Sequence, residues 1–300
     1  MNDYEQKLLT RRDVLKLAGV GAGGLVLRPV SALASGGGVA ENAAAVLYDA
    51  TKCVGCRACE AACKEWNKLP PDPEPPSDLT AHTWTLIKQY QGGADKEHPV
   101  ETFRKYQCMH CEHPACVSVC PVTALQKLEG GPVVYDASKC IGCRYCMIAC
   151  PFHVPRVDWD RALPEINKCT FCADRQAQGL EPACVSACPT GALTFGKRED
   201  LIAEAEARIH SQPGEYVDHI YGKDEAGGTS WMYLSPVPFE ELGFPTLGPE
   251  PIPELSEKVA VYGTPSIGVG VAALLGGIYW FTKRRAEPME KSDVEGKEEA

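Results

Sequence analysis

The sequence predicts an α+β fold of short strands and helices, organised by cysteine-rich loops and followed by one C-terminal transmembrane helix. Three observations predict it. All 16 cysteines fall into four groups of four. With 28 Gly and 24 Pro in 300 residues, turns are many and the apolar core is limited, so something besides hydrophobic burial must hold the chain together. A charge-free apolar stretch near the C-terminus has about the 20 residues that a bilayer requires.

The cysteine groups carry the chemistry. The first is Cys53, Cys56, Cys59 and Cys63; the second is Cys108, Cys111, Cys116 and Cys120. The third is Cys140, Cys143, Cys146 and Cys150; the fourth is Cys169, Cys172, Cys184 and Cys188. Proline follows the last cysteine of the second, third and fourth groups, as Pro121, Pro151 and Pro189. A disulfide scaffold would not need four near-copies of one ligand spacing, and close C-x2-C pairs bridge poorly. Zinc prefers paired C-x2-C knuckles to triplets. Haem attachment needs C-x-x-C-H, which does not occur in the sequence. A cubane [4Fe–4S] cluster has four iron corners, each taking one thiolate, and a tight C-x2-C-x2-C loop wraps three of them. In two-cluster ferredoxins the fourth cysteine ligates the neighbouring cluster. The spacing therefore predicts four [4Fe–4S] clusters on sixteen cysteines, with a helix after each fourth cysteine that the proline helps to start. Gly55 and Gly142 suit loops whose backbone passes close to a cluster.

The groups pair by distance along the chain. The second and third lie together, flanked by the first and fourth, which reads as two nested two-cluster ferredoxin-like units. The outer unit is expected over residues 35–105 with 155–200, and the inner unit over residues 106–154. Short strands are expected at residues 132–136 and 192–195. Residues 70–76 read as a proline-rich surface loop, and residues 199–210 as an amphipathic helix. Residues 201–259 read as an extension and partner-contact segment.

The two ends carry targeting signals. Arg11 and Arg12, followed by Asp13, Val14, Leu15 and Lys16, form a twin-arginine pattern. An apolar stretch and the small-residue site Ala32, Leu33, Ala34 follow, so residues 1–34 read as a signal peptide; the alternative is a basic amphipathic tail. Gly19, Gly21 and Gly24 match G-x-G-x-x-G, but the match lies inside this signal with no strand before it. Residues 260–282 are the expected transmembrane helix, against the alternative of a buried core helix. Lys283, Arg284 and Arg285 put the tail, residues 283–300, on the cytoplasmic side, and the charge of residues 287–300 predicts disorder there. The net charge of −10, without a basic stripe, argues against nucleic acid as a partner.

The cysteine pattern resembles the iron–sulfur (beta) subunits of membrane-bound respiratory oxidoreductases, closest to the hydrogenase-2 type of electron-transfer subunit. The run Cys108, Met109, His110, Cys111, the segment from Cys116 to Pro121, the pair Tyr221 and Gly222, and Gly227, Gly228 and Thr229 add to the likeness. The resemblance implies crossed ligation. One cluster would use Cys53, Cys56, Cys59 and Cys188, and its neighbour Cys169, Cys172, Cys184 and Cys63. A third would use Cys108, Cys111, Cys116 and Cys150, and the fourth Cys140, Cys143, Cys146 and Cys120. It implies a non-catalytic subunit at the periplasmic face of the cytoplasmic membrane, held in the lipid bilayer by its anchor. Its partners would be a catalytic nickel–iron hydrogenase dimer and a quinone-linked integral membrane subunit. The alternatives are the same role beside a formate dehydrogenase or another molybdenum or tungsten subunit, and a mainly structural anchoring adaptor.

Other residues beside the loops have plainer readings. His110, His113 and His153 read as packing or surface residues, since sixteen thiolates already satisfy sixteen iron corners. Lys52, Arg57, Lys139, Arg144 and Lys168 could tune potentials but read as solvated. Trp66, Trp84 and Trp159 read as core aromatics.

Overall fold

The computed structural model of the chain describes residues 43–72, 74–92, 100–159, 161 and 165–298. The export signal read over residues 1–34 lies outside the described residues.

A three-stranded sheet forms the centre. Strand β1 (Ala44–Asp49) pairs antiparallel with β8 (Leu193–Lys197) and parallel with β9 (Trp231–Leu234). The sequence of β1 shows little polar alternation because both of its faces are buried. Ala45 and Leu47, with Met232 and Leu234 of β9, turn one way onto Leu201 and Ala205 of the helix Arg198–Ser211. Val46 and Tyr48, with Trp231 and Tyr233, turn the other way into the main core. The Tyr48 and Tyr233 rings meet edge-on with centroids 5.4 Å apart. Each such side chain, fully buried, contributes about 1.5–3 kcal/mol.

Three antiparallel hairpins complete the strands: β2 (Thr85–Gly92) with β3 (Val100–Gln107), β4 (Leu125–Lys127) with β5 (Val133–Tyr135), and β6 (Arg156–Val157) with β7 (Ile166–Asn167). Strands β5 and β8 fall where the sequence predicts them, and so does the helix Arg198–Ser211.

The helices beside the cysteines are α1 (Ala58–Asn67), α2 (Ala115–Ser118), α3 (Tyr145–Ala149), α4 (Ala173–Gln176) and α5 (Ala183–Ser186). Their placement corrects an expectation. Helices α1, α2, α3 and α5 hold the third cysteine of their group, and no helix starts at the fourth. The reason is the proline. A residue before proline is pushed out of the α region, and Cys150 is extended at φ −76°, ψ 113°. The helix must stop at or before that cysteine. Only the first group lacks the proline, and there α1 runs through Cys63 for ten residues. After Cys120, Cys150 and Cys188 the chain turns instead, with positive φ at Thr123, His153 and Gly191.

Residues 201–259, expected as an extension, instead complete the fold. They contain most of helix α6 (Arg198–Ser211), all of β9 and five aromatic residues of the main core, Tyr221, Trp231, Tyr233, Phe239 and Phe244. Arg104 of β3 clasps this segment: its guanidinium lies 3.7 Å from the Phe244 ring centroid and donates to the Leu242 carbonyl at 2.9 Å. The chain then enters α7 (Ile252–Lys258), passes one π turn at Val259–Gly263, and continues as α8 (Thr264–Glu298). The tail expected to be disordered is helical as far as Glu298. Its Glu, Lys, Ala and Met content favours helix once a preceding helix has nucleated it. An 18-residue stretch within Ile252–Lys283 has a mean hydropathy of 1.6, and this is the one helix among the described residues long and apolar enough to cross a membrane. Ile267 and Leu274 on it are more than 60% exposed, so it is not the buried core helix of the alternative reading.

Candidate iron–sulfur sites

Each cysteine loop has a left-handed residue just before its second cysteine, and in three loops another follows, at Arg57, Arg144 and Cys172. Those before the second cysteine are Gly55 (φ 68°), His110 (φ 48°), Gly142 (φ 69°) and Phe171 (φ 59°). At Gly55 a Cβ would also lie 2.4 Å from Phe103 Cε1, so glycine is required twice over. His110 and Phe171 adopt this conformation without being glycine, at a cost of about 1–3 kcal/mol each. They stack on one another with centroids 4.9 Å apart. His110 is fully buried and its Nδ1 accepts from the Val133 N–H at 2.9 Å. Burial, then the charges of Lys168 and Lys127, push its pKa well down, so the imidazole is neutral.

These turns gather the cysteines in sets drawn from distant parts of the chain, all but Cys56 and Cys143 at least half-buried. Cys53, Cys56, Cys59 and Cys188 line one cavity. Cys63, Cys169, Cys172 and Cys184 line a second. Cys108, Cys111, Cys116 and Cys150 are mutual electrostatic neighbours. Cys120, Cys140 and Cys143 stand in the same relation to Cys146. Every cysteine is a free thiol, which removes the disulfide reading. Among the described residues no three His, Cys, Asp or Glu side chains close tightly enough for a single ion. Four thiols around a space fit the separated iron corners of a cubane better than they fit zinc.

Burial pushes the Cys59 and Cys63 thiols up to about 12, and Cys146 and Cys150 to about 11. Cys188 goes the other way, because hydrogen bonds from Thr190 and nearby backbone N–H groups outweigh its burial. Unaided, most of these buried thiols stay protonated at neutral pH. Iron bound to them would supply the charge that makes them thiolates.

The remaining sequence candidates divide. Lys52, Arg57, Lys139 and Arg144 are exposed, as expected, whereas Lys168 is not solvated. Lys168 is 4% exposed and its Nζ donates to the Cys169 carbonyl at 3.1 Å and to the Val133 carbonyl. Trp159 is not a core residue: it is 63% exposed, with the Arg144 guanidinium 4.2 Å from its ring centroid. Trp66 and Trp84 are half-buried and donate to Asp174 and the Ala81 carbonyl. His113 is half-buried and His153 exposed. Lys105, which the sequence did not single out, is 1% exposed and borders both cavities.

Comparison with known proteins agrees with this chemistry. Profiles of the 4Fe–4S dicluster domain match residues 45–121 and residues 100–198. The chain is 46% identical over 267 residues to a protein of Nitratidesulfovibrio vulgaris strain Hildenborough, covering 85% of this chain and 71% of that one. It is 36% identical over 277 residues to the hydrogenase-2 operon protein HybA of Escherichia coli O157:H7, covering 80% of this chain and 84% of HybA. It is 36% identical over 252 residues to the formate dehydrogenase-O iron–sulfur subunit of Escherichia coli K12, covering 78% of this chain and 80% of that subunit.

Proposed function

For a chain that belongs to the 4Fe–4S dicluster family of iron–sulfur electron-transfer subunits, we propose the role of a wire between a periplasmic nickel–iron hydrogenase catalytic dimer and a quinone-linked membrane subunit. Four [4Fe–4S] clusters, when bound, each take up and release one electron. The chain's own residues space those clusters, supply their thiolates and keep water away. The observation that carries this reading is the convergence of cysteines from distant groups, Cys188 beside Cys53, Cys56 and Cys59, and Cys63 beside Cys169, Cys172 and Cys184. That convergence supports the crossed ligand sets that the resemblance implies, and with them the nested pairing of the four groups.

The hydrogenase assignment rests on the match to HybA along 84% of that protein's length. A second reading has an observation of equal weight, the 36% identity to the formate dehydrogenase-O iron–sulfur subunit. In that reading a molybdenum or tungsten subunit replaces the hydrogenase and the wiring is unchanged.

Export by the twin-arginine route and anchoring by residues 260–282 would hold the body at the periplasmic face. The link between body and anchor supports a polarity. Ser118 of α2, two residues from Cys116, donates to Glu257 of α7 at 2.6 Å. The sets containing Cys116 and Cys120 would then lie nearest the membrane, and the other two nearest the catalytic partner.

Metal analysis of the complex from gently solubilised membranes tests the partner. Nickel supports the hydrogenase; molybdenum or tungsten without nickel moves the chain to the second reading. Cys63→Ser tests the ligation. It should alter the same paramagnetic signal as Cys169→Ser, and altering the signal of Cys53→Ser instead would contradict the crossed sets.

A further inference from the structure

Lys105 lies on β3 in the interior of the protein, 1% exposed. Lysine is almost never fully buried unless paired, because stripping water from an ammonium is costly. Among the described residues no carboxylate forms an ion pair with it. Glu60 feels its charge but directs Oε1 to the Ile87 N–H at 2.6 Å. The Lys105 ammonium donates to Thr85 Oγ1 at 2.5 Å and to Gln107 Oε1 at 3.3 Å, and lies 4.6 Å from the Trp231 ring centroid. Two oxygen acceptors and a π face are a setting for a cation.

Its remaining neighbours are the cysteines. Lys105 borders the cavity of Cys53, Cys56, Cys59 and Cys188 and also that of Cys63, Cys169, Cys172 and Cys184. Its charge favours the thiolate form at Cys59, which belongs to the first set, and at Cys63 and Cys169, which belong to the second. Two other lysines near the sites, half-buried Lys127 and buried Lys168, are engaged differently. Lys127 lies 3.5 Å from the Glu112 carboxylate and donates to the Cys111 carbonyl, while Lys168 donates to the carbonyls of Val133 and Cys169.

We propose that Lys105 is a fixed cation shared by these two neighbouring iron–sulfur sites, and that it raises the reduction potential of both. The inference rests on the ligand sets proposed above. Reduction adds one negative charge to a site that already holds four thiolates. A buried cation beside it stabilises the reduced form more than the oxidised form. Because the ammonium stands beside both cavities, it lifts the pair together and leaves the difference between them unchanged. An electron can then move between the two without a step in energy set by that charge.

The test uses the full-length chain in its complex. Lys105→Met and Lys105→Gln remove the charge, and Lys105→Arg keeps it. Iron and sulfide are measured first, and then each cluster is titrated by electron paramagnetic resonance. The expected result is unchanged iron and a fall of about tenfold in the one-electron reduction equilibrium of two clusters, about 59 mV each. The other two clusters should stay put, and Lys105→Arg should return both potentials toward the unmodified protein. Iron-replete neutral variants with four unchanged potentials would overturn the proposal, as would an Arg variant that shifts as far as Met. If both neutral variants lose iron from the two sites, Lys105→Arg decides. Sites that fill with Arg at near-normal potentials support a need for charge, whereas loss with Arg as well assigns Lys105 to packing and overturns the proposal. Unmodified protein holding far less than one iron per cysteine would instead break the ligand-set reading on which the proposal stands.

Discussion

Gly55 has two constraints on one atom position. Its φ of 68° excludes most side chains, and Phe103 Cε1 lies 2.4 Å from where a Cβ would be. Gly55→Ala should cost about 1–2 kcal/mol for the backbone and about 1–3 kcal/mol for the overlap, unless Phe103 moves. Thermal release of iron from the purified chain measures this; a shift below about 0.5 kcal/mol would show that the loop relaxes freely. The two glycines were legible in the sequence because a chain close to a cluster needs them. The same turn at His110 and Phe171 was not, since Phe gives no signal of positive φ, His only a weak one, and their stacking joins loops 61 positions apart. Lys105 was illegible for a different reason. A lysine in a strand reads as solvent-facing, and only the folded hairpin carries it between two cysteine sets.

At the scale of elements, the proline after the fourth cysteine decides where helices end. The sequence showed the proline but suggested the opposite consequence, because proline also starts helices; the extended Cys150 shows which effect wins. The proline-rich loop read over residues 70–76, of which residue 73 lies outside the described residues, was legible from composition, but its anchor was not. Lys64 of α1 pairs with Asp72 at 2.9 Å, and Thr83 donates to the same carboxylate. Burial raises the Asp72 pKa, but the hydrogen bonds from Lys64 and Thr83 lower it further, leaving it below the ordinary aspartate value. A depressed folded-state pKa gives stability that is present above the unfolded value, near pH 4, and lost as pH falls through the folded one. Asp72→Asn should therefore lower the melting temperature at pH 6, and the gap from the unmodified chain should close as pH falls below about 4. A gap independent of pH would show that the ion pair is not its source.

Over the whole molecule, the grouping of cysteines was legible because ligand spacing is local. The role of residues 201–259 was not, because β9 joins β1 from 185 positions away and its apolar run carries no signal of its partner. The apolar C-terminal helix was legible from composition alone. If it crosses a bilayer, an arginine at its middle should cost about 2.5–3.5 kcal/mol of insertion. Leu274→Arg, expressed without partner subunits, should move the chain from the alkali-resistant membrane fraction to the extractable one; unchanged retention would contradict the anchor.

The claim on which everything else depends is that all sixteen cysteines hold [4Fe–4S] clusters. Iron and acid-labile sulfide, measured together with Mössbauer spectra on the intact chain, test it most directly. The account predicts one iron and one sulfide for each of the sixteen cysteines, about sixteen of each per chain beyond the partner's own share, with spectra of cubane clusters only. About twelve irons, or a spectrum containing mononuclear or three-iron centres, would contradict it.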